Sequence, residues 1–292
     1  MKEFRGVVVA MVTPFHEDGS VNEEMVRTLT RHFIDQGVHG ILVSGGTGEF
    51  TMMDIHEKKV ISAAVETAKD TEVFIVAGIT CNTTKDTVEL AKYSGEIGAD
   101  YVLALPPFAI PVTKEAMLEH FRAIKENTTA GLILYHFPGE TGIEFSPEEI
   151  VSWGREGLFV AVKNTTGMEH TMELILENAH NPNLKISNGF DSLALSALAS
   201  GADALINAGS NITPRQYVKI YELAKEGKYE EARRIYEEIL PILLYQEKDG
   251  NTEPGLCKYC LNLQGFDCGV PRKPVPEVSE EAKRTAEKLL KM

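Results

Sequence analysis

Strand signals and helix signals alternate along this chain from end to end, and few folds accommodate that pattern. Apolar, β-branched-rich runs at 7–14, 40–46, 72–80, 101–106, 131–137, 159–163, 184–188 and 204–208 read as strands. Stretches with helical spacing follow each of them, at 22–36, 55–69, 85–97, 114–126, from Ser146-Pro147 onward, and at 169–178, 192–200 and 214–225. Asn22 reads as a helix N-cap, and Ser146-Pro147-Glu148-Glu149 as an N-cap followed by proline in the first turn. Strands separated by helices are parallel strands joined by crossovers. Eight such units are the number that closes a (β/α)8 TIM barrel. An open doubly wound sheet would call for a Gly-x-Gly-x-x-Gly turn after the first strand, and none is present.

The barrel is expected over residues 1–226. Residues 227–292, with helices at 230–245, 255–264 and 279–292, are expected as a C-terminal helical extension of the same domain, since no Gly/Ser-rich linker precedes them. The Gly-Val-Pro-Arg-Lys-Pro-Val-Pro run at 269–276 is too proline-rich for helix.

Acidic residues outnumber basic ones by 43 to 29, a formal charge of -14, which disfavours nucleic acid and anionic membranes as partners. No stretch is long and apolar enough to span a bilayer, the first residues lead directly into a strand with no signal-peptide pattern, and Cys81, Cys257, Cys260 and Cys268 are few for so long a chain. A cytoplasmic protein with reduced thiols is expected. Cys257 and Cys260 have metal-knuckle spacing but lack a fourth ligand nearby, so they read as one face of a helix. No metal and no organic cofactor is expected.

In a barrel of this kind the active site lies at the C-terminal ends of the strands. The sixth strand ends in Val-Ala-Val-Lys163-Asn164-Thr165-Thr166. Taken alone, a lysine just past a strand end has its ammonium in solvent. Set in the barrel mouth, Lys163 is the only Lys or Arg among the strand-end residues. Burial there favours the neutral amine, which is a nucleophile toward carbonyls and so a candidate Schiff-base residue. The turn Ser44-Gly45-Gly46-Thr47-Gly48-Glu49 can aim backbone N–H groups and the Thr47 hydroxyl at a carboxylate. Tyr135, at the end of the fifth strand, can pass protons, whereas His136 alternates to the other face and reads as structural or as a support behind the site residues.

These motifs together resemble the dihydrodipicolinate synthase / N-acetylneuraminate lyase family of pyruvate-dependent class I aldolases. The resemblance runs from Val-Thr-Pro-Phe at 12–15 through Gly-Gly-Thr-Gly-Glu-Phe at 45–50 with His56-Glu57, Tyr-His-Phe-Pro-Gly-Glu-Thr-Gly at 135–142 and Val-Lys-Asn-Thr-Thr-Gly at 162–167 to Asn-Gly-Phe-Asp at 188–191. It implies a TIM barrel, usually tetrameric, in which Lys163 forms an imine with a 2-oxo acid. It also implies that Tyr135 relays protons, Gly46 and Thr47 hold the pyruvyl carboxylate, Thr165 assists, and Gly189 and Asp191 meet the sugar chain of a lyase substrate.

Four departures from the family pattern bear on the proton relay and the substrate. Gly46 stands where the family carries a relay hydroxyl. Phe108 and Ala109 stand where a tyrosine from a neighbouring subunit is usual. Glu140 stands where the synthases bind a second carboxylate with arginine, and it would repel such a substrate while accepting bonds from sugar hydroxyls. Ser192 replaces a further acidic residue of the neuraminate lyases. The expectation is a lyase cleaving a 2-dehydro-3-deoxy sugar acid to pyruvate and an aldehyde. The alternatives are a dehydratase or deaminase using the same imine, 4-hydroxy-tetrahydrodipicolinate synthase itself, or a non-catalytic pyruvate-binding barrel.

Overall fold

A computed structural model describes residues 1–248 and 253–290. The eight strands, β1 Gly6–Ala10, β2 Gly40–Val43, β3 Phe74–Gly78, β4 Tyr101–Ala104, β5 Gly131–His136, β6 Ala161–Asn164, β7 Lys185–Asn188 and β8 Ala204–Asn207, are all parallel and close in sequence order into one barrel. Closure is made by β8 against β1, with Val9 opposite Asn207. Every strand residue except the first of β7 is buried, which is why the strands read as continuous apolar runs rather than as alternating ones.

The helices wrap the outside: α1 Glu23–Asp35, α2 Ile55–Lys58, α3 Ile61–Ala68, α4 Thr84–Glu96, α5 Lys114–Glu126, α6 Pro138–Thr141, α7 Pro147–Arg155, α8 Met168–Glu177, α9 Ala194–Ser200 and α10 Pro214–Lys225. The extension adds α11 Tyr229–Lys248, α12 Glu253–Leu263 and α13 Glu280–Leu289. Local chemistry fixes the helix starts. Asn22, Thr83, Thr113 and Ser279 each accept a backbone N–H of the first turn, and Ser146 with Glu149 and Asp54 with Glu57 form capping boxes.

Some boundaries differ from expectation. The helix expected at 55–69 is two, because α2 stops after a single turn and α3 restarts at Ile61. The one expected at 192–200 opens with a 3-10 turn, Asp191–Leu193. Helix α6 is an additional turn with Pro138 at its start. The first two strands end earlier than their apolar runs, at Ala10 and Val43. The last helix ends at Leu289, and residues 291–292 of the range expected for it lie outside the described residues.

Side chains divide into two cores. Val8, Leu42, Val76, Leu103, Ile133, Ala161 and Ile206 fill the barrel interior. Their sequence neighbours, such as Val9, Ile41, Ala77, Val102, Leu134, Val162 and Leu205, pack outward against the helices. That alternation aims Tyr135 and Lys163 inward. The same outer core takes in Tyr236, Ile239, Leu243, Leu256, Cys257, Cys260 and Ala282 from the extension, so α11 to α13 share the barrel's core.

Candidate active site

Strands β5 and β6 pair with Tyr135 opposite Lys163, so the two side chains stand side by side at the C-terminal rim of the interior. Lys163 is only 5% exposed, and its Nζ lies 4.1 Å from the centre of the Tyr135 ring. Burial pulls the amine down to about 8 from an ordinary 10.5, while Glu253, Asp191 and Glu140 oppose the shift. A usable neutral fraction, on the order of a tenth at pH 7, follows. Burial likewise pushes the Tyr135 phenol far above its ordinary value, with Glu253 adding to the rise and the Thr165 hydroxyl opposing it.

The strand bearing the lysine is held laterally. The Phe145 N–H donates to His136 Nε2 at 3.1 Å, which leaves the ring proton on Nδ1, and Nδ1 donates to Asn164 Oδ1 at 2.9 Å. Asn164 in turn donates to the hydroxyls of Thr166, at 2.7 Å, and Thr171, at 3.0 Å. Burial drives His136 down to about 4, in keeping with a neutral ring. His136 is thus structural. Gly189, past β7, leaves room for the lysine stem: a Cβ there would collide with Thr165 Oγ1 and come within 3.1 Å of Lys163 Cε.

The turn after β2 forms the opposite wall. Ser44 and Glu49 both take left-handed backbone (φ 59°), which reverses the chain tightly around Gly45–Gly48. Among the described residues, the N–H groups of Gly46 and Thr47 donate to no backbone acceptor, and both residues line the cavity. A Cβ on Gly46 would meet nothing within 4 Å. The Thr47 hydroxyl donates to Glu253 Oε1 at 2.8 Å. Behind the turn, Glu49 is buried in an ion pair with Lys258 Nζ at 2.6 Å and accepts the Arg272 N–H at 2.8 Å. Arg272 also pairs with Glu57.

Lys163, Tyr135, Gly46, Thr47, Thr165, Gly189, Asp191 and Glu140 all line one cavity of about 310 Å³. One of them is already heavily engaged within the protein. Both Asp191 carboxylate oxygens accept the Gly209 N–H at 3.1 Å, and they are further engaged by Tyr217 Oη and by Gln246 Nε2 at 3.4 Å. Burial raises this acid to about 7 despite those bonds. Asp191 therefore spends most of its acceptor capacity tying the barrel mouth to α10 and α11. Phe108 is not among the lining residues; it packs edge-on against Phe50, with ring centres 6.2 Å apart.

The cavity also contains two carboxylates that motif reading did not bring to the site, Glu247 and Glu253. Glu247 accepts the Ser192 N–H at 2.9 Å. Both come from the extension, and only the folded path of α11 and α12 brings them to the mouth. The one signal in the sequence was an acid beside proline, Glu253-Pro254, where a helix begins. Among the described lining residues, Lys163 is the single cation facing four carboxylates. A buried amine of lowered basicity beside a phenol, backbone donors and carboxylates can form an imine with a 2-oxo acid and move protons around it.

Comparison with known proteins identifies the family and the fold. The profile of the Dihydrodipicolinate synthetase family matches residues 3–292. A 4-hydroxy-tetrahydrodipicolinate synthase of Oceanobacillus iheyensis is 30% identical over 287 residues, 98% of this chain and 96% of that protein. The crystal structure of dihydrodipicolinate synthase from Aquifex aeolicus superposes with a TM-score of 0.92 at 29% identity, covering 99% of this chain and 97% of that one. CdNal from Clostridium difficile, solved in complex with mannosamine, superposes at 0.90 with 27% identity over 99% of both chains.

Proposed function

The chain belongs to the Dihydrodipicolinate synthetase family, enzymes of the pyruvate-dependent class I aldolase and lyase type, and from that premise we propose that it is a carbon–carbon lyase cleaving a 2-dehydro-3-deoxy sugar acid to pyruvate and an aldehyde through an imine on Lys163. The observation that carries the imine is Lys163 itself, buried at the mouth with its amine pulled down to about 8. The neutral amine attacks the 2-oxo carbon, and water leaves. The imine then accepts the electrons of the C3–C4 bond as it breaks. Gly46 and Thr47 hold the substrate carboxylate, Tyr135 with Thr165 stands where the C4 hydroxyl proton departs, and Gly189 keeps space for the lysine. Orientation in the cavity contributes beside the chemistry.

The sugar-acid reading rests on charge. Glu140, exposed at the rim, and Glu247, half-buried, both line the cavity, where they can accept hydrogen bonds from hydroxyls, and neither welcomes a second substrate carboxylate. Asp191 contributes chiefly by shaping that end. We read the assembly as a homotetramer by the family resemblance, which light scattering checks, and the location as cytoplasmic. Among the described residues no helix is long and apolar enough to cross a membrane.

Borohydride reduction in the presence of pyruvate tests the imine. A pyruvyl adduct is expected on the peptide carrying Lys163, and its absence sinks the mechanism. A panel of sugar acids with coupled pyruvate detection then tests the substrate. The relative from Oceanobacillus iheyensis favours a second reading, 4-hydroxy-tetrahydrodipicolinate synthase. Consumption of pyruvate with aspartate semialdehyde, and no release from any sugar acid, would establish it instead.

A further inference from the structure

Of the carboxylates in the cavity, one holds a group that the substrate needs. Asp191 is engaged by Gly209, Tyr217 and Gln246, Glu247 accepts the Ser192 N–H, and Glu140 is exposed at the rim. Glu253, the first residue of α12, accepts instead the Thr47 hydroxyl, at 2.8 Å and across a separation of 206 residues in sequence. Thr47 belongs to the turn after β2, to which the function proposed above gives the substrate carboxylate. Both residues line the cavity.

A threonine hydroxyl has one proton to donate. Donated to Glu253, that proton leaves only lone pairs facing the cavity, and an ionised substrate carboxylate brings only lone pairs to meet them. The backbone N–H groups of Gly46 and Thr47 donate to no backbone acceptor among the described residues, so they stay available to an incoming anion. The hydroxyl cannot serve two carboxylates at once. A hydrogen bond to an ionised acceptor is roughly twice as strong as one between neutral groups, so giving it up weighs on binding.

We infer that Glu253 is a positioning residue that competes with the substrate carboxylate for the Thr47 hydroxyl and thereby sets the affinity of the site for 2-oxo acids. The inference rests on the carboxylate's place at the turn after β2 and not on the imine. Substrate is held fully when the hydroxyl turns from Glu253 Oε1 to the incoming carboxylate. One hydrogen bond is broken and one is made, and no atom changes hands.

The charges around Glu253 make that exchange consequential. Burial raises its acid, the Thr47 hydroxyl and then Lys163 hold it down, and Glu140 and Glu247 raise it further. Thr47 is thus the larger of the two influences that keep the carboxylate ionised. Its transfer to substrate leaves Glu253 with Lys163 as the remaining one. On the lysine side, Glu253 comes first among the three carboxylates that oppose the fall in the amine's basicity.

Lactate supplies the test, because it keeps the carboxylate and has no 2-oxo group with which to form an imine. Its affinity is read by titration calorimetry. Glu253→Ala, which frees the hydroxyl, is expected to bind lactate about tenfold or more tightly than wild type. Glu253→Gln preserves the side-chain shape and offers Thr47 a weaker, neutral acceptor, so it is expected to fall between the two. Thr47→Val removes the contested hydroxyl, and in that background Glu253→Ala is expected to change the affinity by less than about threefold. A gain that persists without the hydroxyl overturns the assignment, since it would be charge repulsion acting through space. Unchanged or weaker binding in both Glu253 variants overturns it as well. Borohydride trapping with pyruvate keeps the two readings apart. A wild-type enzyme that gives no adduct on Lys163 brings down the imine, while the lactate shift leaves the role of Glu253 standing.

Discussion

At the scale of single residues, the same burial that makes Lys163 reactive makes it a cost to the fold. Its folded value of about 8 lies below the 10.5 of an unfolded lysine. Between those two values the unfolded chain binds more protons than the folded one, so stability rises with pH across that window. The penalty is complete below about pH 8 and is gone above about pH 10.5. At 1.36 kcal/mol per pKa unit it comes to roughly 3 kcal/mol before neighbouring carboxylates readjust. Lys163→Met is therefore expected to lose the pyruvyl adduct and to be more stable than wild type at pH 7. Urea unfolding at pH 7 and pH 10.5 checks this, and the difference should shrink at the higher pH. The two glycines of the site make a contrasting pair. Gly189→Ala pushes a Cβ onto Thr165 and toward Lys163 Cε, so trapping of the imine should slow by at least about tenfold, with about 1–3 kcal/mol of stability lost. At Gly46 an added Cβ meets nothing within 4 Å, so Gly46→Ala should unfold within about 0.5 kcal/mol of wild type with trapping intact.

At the scale of elements, what the sequence made legible was whatever depends on neighbours in the chain. All eight strands and the helices between them follow from apolar runs, periodicity and caps such as Asn22 and Ser146. Tyr135 and Lys163 could be assigned to one mouth because strand ends converge in a closed parallel barrel. Long-range pairing was not legible. Glu49 reads as a turn residue, yet it is buried against Lys258 of α12, with both side chains at most 2% exposed. Nothing local marks that partner, and the same is true of Glu253 on Thr47. The break in the helix at 55–69 leaves no mark in the sequence, because the apolar spacing continues through it. The Glu49–Lys258 pair joins the turn after β2 to the extension, with Lys258 Nζ also 4.1 Å from the Phe15 ring centre and bonded to the Val270 carbonyl at 3.2 Å. Lys258→Met leaves Glu49 buried with the Arg272 N–H as its remaining donor, and the expected cost is about 3–5 kcal/mol. A shifted urea midpoint at unchanged slope measures it. Adding Glu49→Gln to Lys258→Met should recover a good part of the loss, and a second change that merely adds further loss would contradict the account.

At the scale of the whole molecule, the boundary near residue 226 divides barrel from extension in description, whereas the contacts point to one cooperative unit. Asp191 is grasped from α10 and α11 by Tyr217 and Gln246, with the Tyr236 hydroxyl donating to its backbone carbonyl at 2.9 Å. Lys258 and Arg272 reach back to Glu49 and Glu57, and Arg272 caps the Met52 carbonyl at 2.7 Å. Buried apolar side chains of α11, α12 and α13 belong to the outer core of the barrel. Removing the extension would expose that core and strip Glu247 and Glu253 from the cavity. The extension and the barrel are therefore expected to unfold together. The chain carries one tryptophan, Trp153 in α7, packed against Phe145 on the barrel's own helix layer. Its fluorescence reports the barrel, while far-UV circular dichroism also sums the helices of the extension. At a fixed protein concentration the two urea transitions should coincide. A chain ending at residue 226 should show no cooperative transition and no pyruvyl adduct. An ellipticity loss that precedes the fluorescence change would mean that α11 to α13 melt first, and the extension would then be a separate domain docked on a self-sufficient barrel.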